Sequence, residues 1–257
     1  YLSIENSYPI GEDLSLLQAF YDRGVRMIGI VHNGGNQFAD SASGGTARWG
    51  GLSPLGRRWV AEMNRLGMVI DASHASDEAL DQLIALSTTP IMLSHSGPRA
   101  IYDHPRNLDD MRMRALAAKG GVMQINSVFL TRFNLTPARS ALYDRQDRIE
   151  TMTPAEQRQL ADDWATLDRS ETLNDATFEM YMASLRHCLA LIGWEHCGIG
   201  ADWDGGGGVR GMEDVTALPR ITAALIDLGY DEAKIQRIWG YNALRVLRAA
   251  ELQAGRR

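Results

Sequence analysis

Three of the six histidines in this 257-residue chain stand where an apolar, strand-like run gives out. His32 closes R-M-I-G-I-V-H, His74 follows M-V-I-D-A-S, and His95 follows P-I-M-L-S. Other runs end on carboxylates or an amide: Glu5 closes Leu2 to Glu5, Asn126 closes G-V-M-Q-I-N, and Asp202 with Asp204 follows C-G-I-G-A. Taken singly, a strand-end imidazole is an ordinary hydrogen-bonded group. Imidazoles and carboxylates converging on one face are instead the ligand set of zinc or a similar divalent ion. The other three histidines do not share this placement. His187 falls inside a helical pattern and His196 precedes a strand, both packing or surface positions, while His104 lies in the loop after the fourth run and its role stays open.

Bringing six strand ends together requires a scaffold, and the chain alternates regularly enough to supply one. Strands are expected at 2–5, 26–32, 68–73, 90–94, 121–126 and 197–201, with helices at about 13–22, 53–66, 76–86, 109–119, 175–192, 212–228 and 231–250. Ser53-Pro54 is an N-cap followed by a first-turn proline, Gly67 is a stop, and Ser76-Asp77-Glu78 sets acids at a helix's positive end. The stretch 131–174 is polar and lacks strand signals, so it reads as an insertion of short helices, a lid or surface excursion. Short apolar strands each followed by a helix call for a parallel sheet covered on both faces. An open doubly wound sheet would advertise a glycine fingerprint after its first strand. The run Gly205 to Gly208 has neither the G-x-G-x-x-G spacing nor the Lys-Ser/Thr of a phosphate loop, and reads as a flexible loop beside an active site. A (β/α) barrel is therefore expected, its catalytic groups on the C-terminal rim of the strands.

Composition narrows the partners. Hydrophobic residues make up 45% and charged ones 23%, a globular balance. With 26 basic against 32 acidic residues the net charge is -6, the wrong sign for gripping a phosphate backbone, which argues against nucleic acid. No apolar run approaches the ~20 residues of a membrane-spanning helix. Two cysteines, Cys188 and Cys197, cannot build a disulfide scaffold or a four-cysteine zinc site and read as half-buried thiols. The opening Tyr-Leu-Ser-Ile-Glu-Asn has no initiator Met and no signal-peptide layout, as though the chain begins inside a domain.

These residues resemble a known family, the membrane dipeptidase or renal dipeptidase-like family. The resemblance runs through I-E-N at 4–6, G-V-R-M-I-G-I-V-H-N at 24–33, N-R-L-G-M-V-I-D-A-S-H-A-S at 64–76, P-I-M-L-S-H-S at 90–96, H-P-R-N-L-D-D at 104–110 and G-I-G-A-D-W-D-G at 198–205. It implies a (β/α)8 TIM barrel of the metal-dependent hydrolase type with two zinc ions and a small peptide as substrate. Position by position it makes Glu5 the carboxylate bridging both metals, and His74 and His95 the remaining ligands of the second. His32 would polarise the scissile carbonyl or the oxyanion, Arg106 would hold the substrate's terminal carboxylate, and Asp202 would shuttle the proton of the bridging water, with Asp204 second in line for that role.

One feature of the family is missing. Its first strand carries a His-x-Asp pair for the first metal, and none precedes Glu5 here. Six strands rather than eight agree with this, and the expectation is a single barrel domain over 1–257 that lacks its first two strand-helix units. Its own ligands would then retain one zinc. In the complete site, two zinc ions would lower the pKa of a shared water and clamp the tetrahedral intermediate. A free α-carboxylate pinned on Arg106 would favour dipeptides. Other outcomes stay open: a metal-dependent amidohydrolase acting on another amide, a lactam or a lactone, or a non-catalytic binding or maturation protein. The resemblance also points to export, to the periplasm or outside the cell, and to a homodimer.

Overall fold

The apolar runs become strands and helices in the expected alternation in the computed structural model, which describes residues 1–255. The first half holds β1 (Leu2–Ile4), α1 (Ser15–Asp22), β2 (Val25–Gly29), α2 (Pro54–Leu66), β3 (Val69–Asp71), α3 (Asp77–Leu86) and β4 (Met92–Pro98). Then come β5 (Asn107–Leu108), α4 (Asp110–Ala118), β6 (Val122–Ile125), α5 (Pro137–Gln146), α6 (Pro154–Ser170) and α7 (Phe178–Ile192). The chain closes with β7 (Cys197–Ile199), α8 (Leu218–Asp227), α9 (Glu232–Gln236) and α10 (Asn242–Gln253). The capping signals act as read. Ser53 Oγ accepts from the Gly56 amide, Ser76 Oγ from the Ala79 amide, and Gly67 ends α2 at φ 74°.

All strand pairs are parallel, and the sheet runs β1-β2-β3-β4-β6-β7, with β5 attached to the far end of β4. Among the described residues β7 does not pair with β1, so the strands form an open arc of the kind from which a (β/α) barrel is built. Alternation along each strand divides the apolar residues between two layers. Ile28, Ile70, Leu93 and Met123 join the large cluster under α2 and α7. Their neighbours Met27, Val69, Met92 and Val122 pack on Val246 and Ala250 of α10. All eight are buried, which is why these runs read as continuously apolar rather than alternating.

Several expectations are corrected. The fourth strand extends to Pro98 instead of stopping at Ser94, so His95 lies inside β4. Its register with β6 slips between Leu93↔Met123 and Ser96↔Ile125, three steps on β4 against two on β6, a bulge centred on Ser94 and His95. Such a bulge re-aims side chains beside a site. The two-residue β5, in H-P-R-N-L-D-D, was unforeseen because its strand character comes only from pairing with Gly97 and Pro98. The insertion contains a 17-residue helix, α6, held by a capping box of Thr153 and Glu156, so its helices are not all short. The last expected helix is broken into α9, a π-turn at Arg237–Tyr241 and α10. Cys188 and Cys197 are fully buried, not half-buried, because α7 lies over β7 and brings their sulfurs to 2.7 Å.

Candidate active site

The three non-glycine residues with positive φ among those described are Asn6 (75°), His74 (69°) and Asp202 (61°). Each lies just past the C-terminal end of a strand, β1, β3 and β7. Left-handed backbone costs an L-residue steric energy and persists only where the surroundings impose it, which marks this rim as the place where strain is held. The impositions are visible. After Asn6, Ser7 Oγ donates to the Gly29 carbonyl, and the Asn6 carboxamide accepts from Asn36 Nδ2 at 3.1 Å. His74 follows Asp71 at the end of β3, and its carbonyl accepts from the Ala42 amide at 2.8 Å. Asp202 begins the turn Trp203–Gly205, where a Cβ on Gly205 would collide with the Asp202 carboxylate. Gly200 is equally constrained, since a Cβ there would strike the Ser94 carbonyl.

These strand ends deliver four side chains to one point. Glu5 Oε1 lies 3.0 Å from His74 Nε2, 3.2 Å from His95 Nε2 and 3.8 Å from His32 Nε2. The two Nε2 atoms of His74 and His95 are 2.8 Å apart. One ligand atom from each of Glu5, His32 and His74 falls within 4.8 Å of the others. Ligands held at roughly 2.0–2.2 Å around a tetrahedral ion are themselves about 3.3 Å apart, so this clustering of two imidazole nitrogens and a carboxylate oxygen fits a divalent cation. His32 is the most open of the imidazoles, its side chain 41% exposed.

Electrostatics agree with that fit. Hydrogen bonds from His74 and His95 hold the Glu5 carboxyl well below the usual carboxylate range, against the opposing effect of burial. Burial pushes His74 down to about 4, only partly offset by its hydrogen bond to Glu5, so its imidazole is neutral near pH 7. His95 is also buried, but its hydrogen bond to Glu5 and the nearby Asp71 outweigh burial and raise it. Burial also raises Asp202, reinforced by Glu5, while His95, Arg106 and His32 pull the other way. Asp202 is thereby tied to the cluster, whereas Asp204 is exposed.

Arg106 is the most unusual charge here. It is 2% exposed and forms no ion pair within 4.0 Å with any described carboxylate. Its Nη2 donates weakly to the His95 carbonyl at 3.4 Å, its Nε has no partner, and the guanidinium lies over Phe129. Burial lowers it to about 10, so it remains a cation near pH 7, with Asp71, Asp202 and Glu5 opposing the shift. His104, left open by sequence, stacks on Phe129 with centroids 4.6 Å apart and accepts from the Arg106 amide, steadying that loop. His187 pairs with Asp110 and His196 meets the Gly121 carbonyl, away from the rim as expected. Asn126, just past the end of β6, has both amide atoms buried and unpartnered.

Two residues of the site escaped sequence reasoning. Asp71 is 4% exposed, and Ser94 joins it to His95. Both stand inside the strand motifs M-V-I-D-A-S and P-I-M-L-S-H-S, but nothing in one sequence shows that two adjacent strands place them in contact.

Comparisons with known proteins bear on the family and the fold. The family model for membrane dipeptidases, peptidase family M19, matches residues 1–257. An uncharacterized dipeptidase of Schizosaccharomyces pombe is 33% identical over 97% of this chain and 53% of its own length. The dipeptidase tcpJ of Claviceps purpurea is 30% identical, again over 97% of this chain and 50% of its own. The crystal structure of the probable dipeptidase PvdM from Pseudomonas aeruginosa superimposes with a TM-score of 0.80 and 35% identity, covering 98% of this chain and 69% of that one. A metallo peptidase from Rhodobacter sphaeroides, solved with a phosphinate mimic of the dipeptide L-Ala-D-Ala, gives 0.74 and 26%, covering 96% of this chain and 62% of that one. The chain spans about half the length of the curated relatives it matches. On the family match and the shared fold, this chain belongs to the membrane dipeptidase family, peptidase family M19.

Proposed function

We propose that the natural protein is a zinc-dependent dipeptidase, and that this chain contributes its second metal site, its carboxylate anchor and its proton carrier. The observation that carries the reading is Arg106: a buried guanidinium without an ion-pair partner, facing the same space as Glu5, His74, His95 and Asp202. A buried, unpaired cation is costly, and a substrate carboxylate would relieve that cost through two parallel hydrogen bonds. A peptide with a free C-terminus is the ligand chemistry that suits it. The phosphinate dipeptide mimic bound by the Rhodobacter sphaeroides relative is of that class.

Glu5, His74 and His95 are the residues that would hold the ion. When bound, it would supply Lewis acidity and lower the pKa of water. The chain's own groups account for the remaining steps. Arg106 grips the terminal carboxylate and so fixes how far the scissile bond lies from the anchor, which favours substrates two residues long. His32, the most open imidazole, donates a hydrogen bond to the carbonyl oxygen as it becomes an oxyanion. Asp202 takes the proton of the attacking water and delivers it to the leaving amine nitrogen, a task suited by its raised affinity for protons.

Kinetics of Arg106→Ala on a free dipeptide and on its C-terminal amide test this reading. KM for the free dipeptide should rise roughly 10- to 100-fold, the worth of hydrogen bonds to a charged group, while the amide, already poor, should change little. Equal losses on both substrates would refute the anchor.

A further inference from the structure

We infer that Asp71, acting through the Ser94 hydroxyl, is a positioning residue that fixes the tautomer and ring orientation of His95. The hydrogen bonds around the Ser94 hydroxyl leave one consistent arrangement at His95 Nδ1. Asp71 Oδ1 accepts two backbone amides, from Ser73 and Ser94, both at 3.0 Å. Its other oxygen, Oδ2, lies 2.5 Å from Ser94 Oγ, and a carboxylate can only accept, so the single proton of the Ser94 hydroxyl points at Asp71. That hydroxyl must then act as acceptor toward His95 Nδ1, at 2.8 Å. The Ser73 hydroxyl, 3.3 Å away, supplies its second incoming bond while accepting from the His95 amide at 3.1 Å. Every lone pair and proton of the Ser94 hydroxyl is thus assigned.

The consequence falls on the far side of the ring. With the proton on Nδ1, neutral His95 carries its lone pair on Nε2, the atom 3.2 Å from Glu5 Oε1 and 2.8 Å from His74 Nε2. With Nδ1 held as the donor to Ser94, the proton that Nε2 shares with Glu5 is the one the ring gives up when it acts as a ligand. The bulge in β4 makes this possible by turning Ser94 toward β3 while His95 turns to the rim. His74 has no such support: its Nδ1 is buried and without a partner. The proton on Nδ1 follows from the bonds of the Ser94 hydroxyl, so the neutral ring takes that tautomer, while its value for metal affinity rests on the function proposed above.

Histidine-labelled nitrogen NMR on the metal-free natural protein, at a pH alkaline enough to leave the imidazoles neutral, reads the tautomer directly. His95 should show a protonated Nδ1 and a bare Nε2. In Asp71→Asn and in Ser94→Ala the signal should move toward the opposite tautomer or a mixture, and zinc affinity should fall about 10- to 100-fold, the usual cost of removing such a partner. Ser94→Thr, which keeps the hydroxyl, should restore both. Circular dichroism and thermal melts select the variants that fold, and either of the two suffices. A His95 that keeps the proton on Nδ1 in a folded Asp71→Asn or Ser94→Ala variant overturns the inference. A tautomer shift with unchanged zinc affinity upholds the relay and removes His95 from the proposed ligands instead.

Discussion

The two sides of the rim are built differently. On the β1–β4 side, Glu5, His74 and His95 touch one another, and a chain of hydrogen bonds runs from the Asp71 carboxylate through Ser94 to the His95 ring. On the β7 side, no comparable side-chain chain holds Asp202 among the described residues. Its position comes from a left-handed backbone and from glycines at 200 and 205 that admit no Cβ. The first arrangement holds atoms at fixed separations, as ligands to one ion require. The second leaves a carboxyl half in and half out of solvent whose affinity for a proton burial raises, as the proposed proton carrier would need.

The contrast can be broken at either end. His74→Ala and His95→Ala should have the largest effect, lowering zinc per chain on elemental analysis and cutting kcat/KM beyond the loss expected from an acid–base group alone. Full zinc content in both would dissolve the ligand side of the comparison. Asp202→Asn should come next. It should keep its zinc but lose kcat on the order of 10²- to 10⁴-fold, the usual worth of a positioned proton carrier. Near-normal kcat would move that role to another group.

Gly205→Ala sharpens the comparison, because it disturbs only the β7 side. Its Cβ would press on the Asp202 carboxylate, and if the roughly 1–3 kcal/mol that such overpacking costs falls on the catalytic geometry, kcat should drop about 5- to 150-fold with zinc affinity unchanged. Parallel loss of zinc would show that the two sides are mechanically coupled.

The smallest effect concerns stability. The folded protein binds a proton on Asp202 more tightly than the unfolded chain does, since burial opposes the carboxylate. Stability from this group is therefore greatest below the unfolded value of roughly 3.9 and is lost as pH rises through the raised folded value. Metal-free Asp202→Asn should accordingly melt slightly higher than the parent at neutral pH, with the gap closing toward acid. An Asp202→Asn variant that melts lower at neutral pH would mean that the carboxylate is stabilised rather than penalised.

Much of the scaffold could be read from residue order, because the forces that set it are local. Ser53-Pro54, Ser76-Asp77-Glu78 and Gly67 cap or end helices through bonds and dihedrals that span a few residues. The alternation of apolar runs with amphipathic stretches likewise settled a parallel α/β sheet, and the polar residues at run ends marked the rim. Glu5, His32, His74, His95, Arg106 and Asp202 were nameable from the family's motifs, and the fold brings all six toward one space.

What residue order could not supply is whatever depends on two distant segments meeting. Asp71 and Ser94 are 23 positions apart, and their contact exists only because β3 lies beside β4. The bulge that places His95 inside β4 comes from the mismatch between β4 and β6, which neither strand contains alone. The two cysteines were misjudged because burial depends on which helix covers which strand. Local propensity determined the elements and their polar ends. Sheet register and packing, which are non-local, decided which of those ends touch and through which atoms.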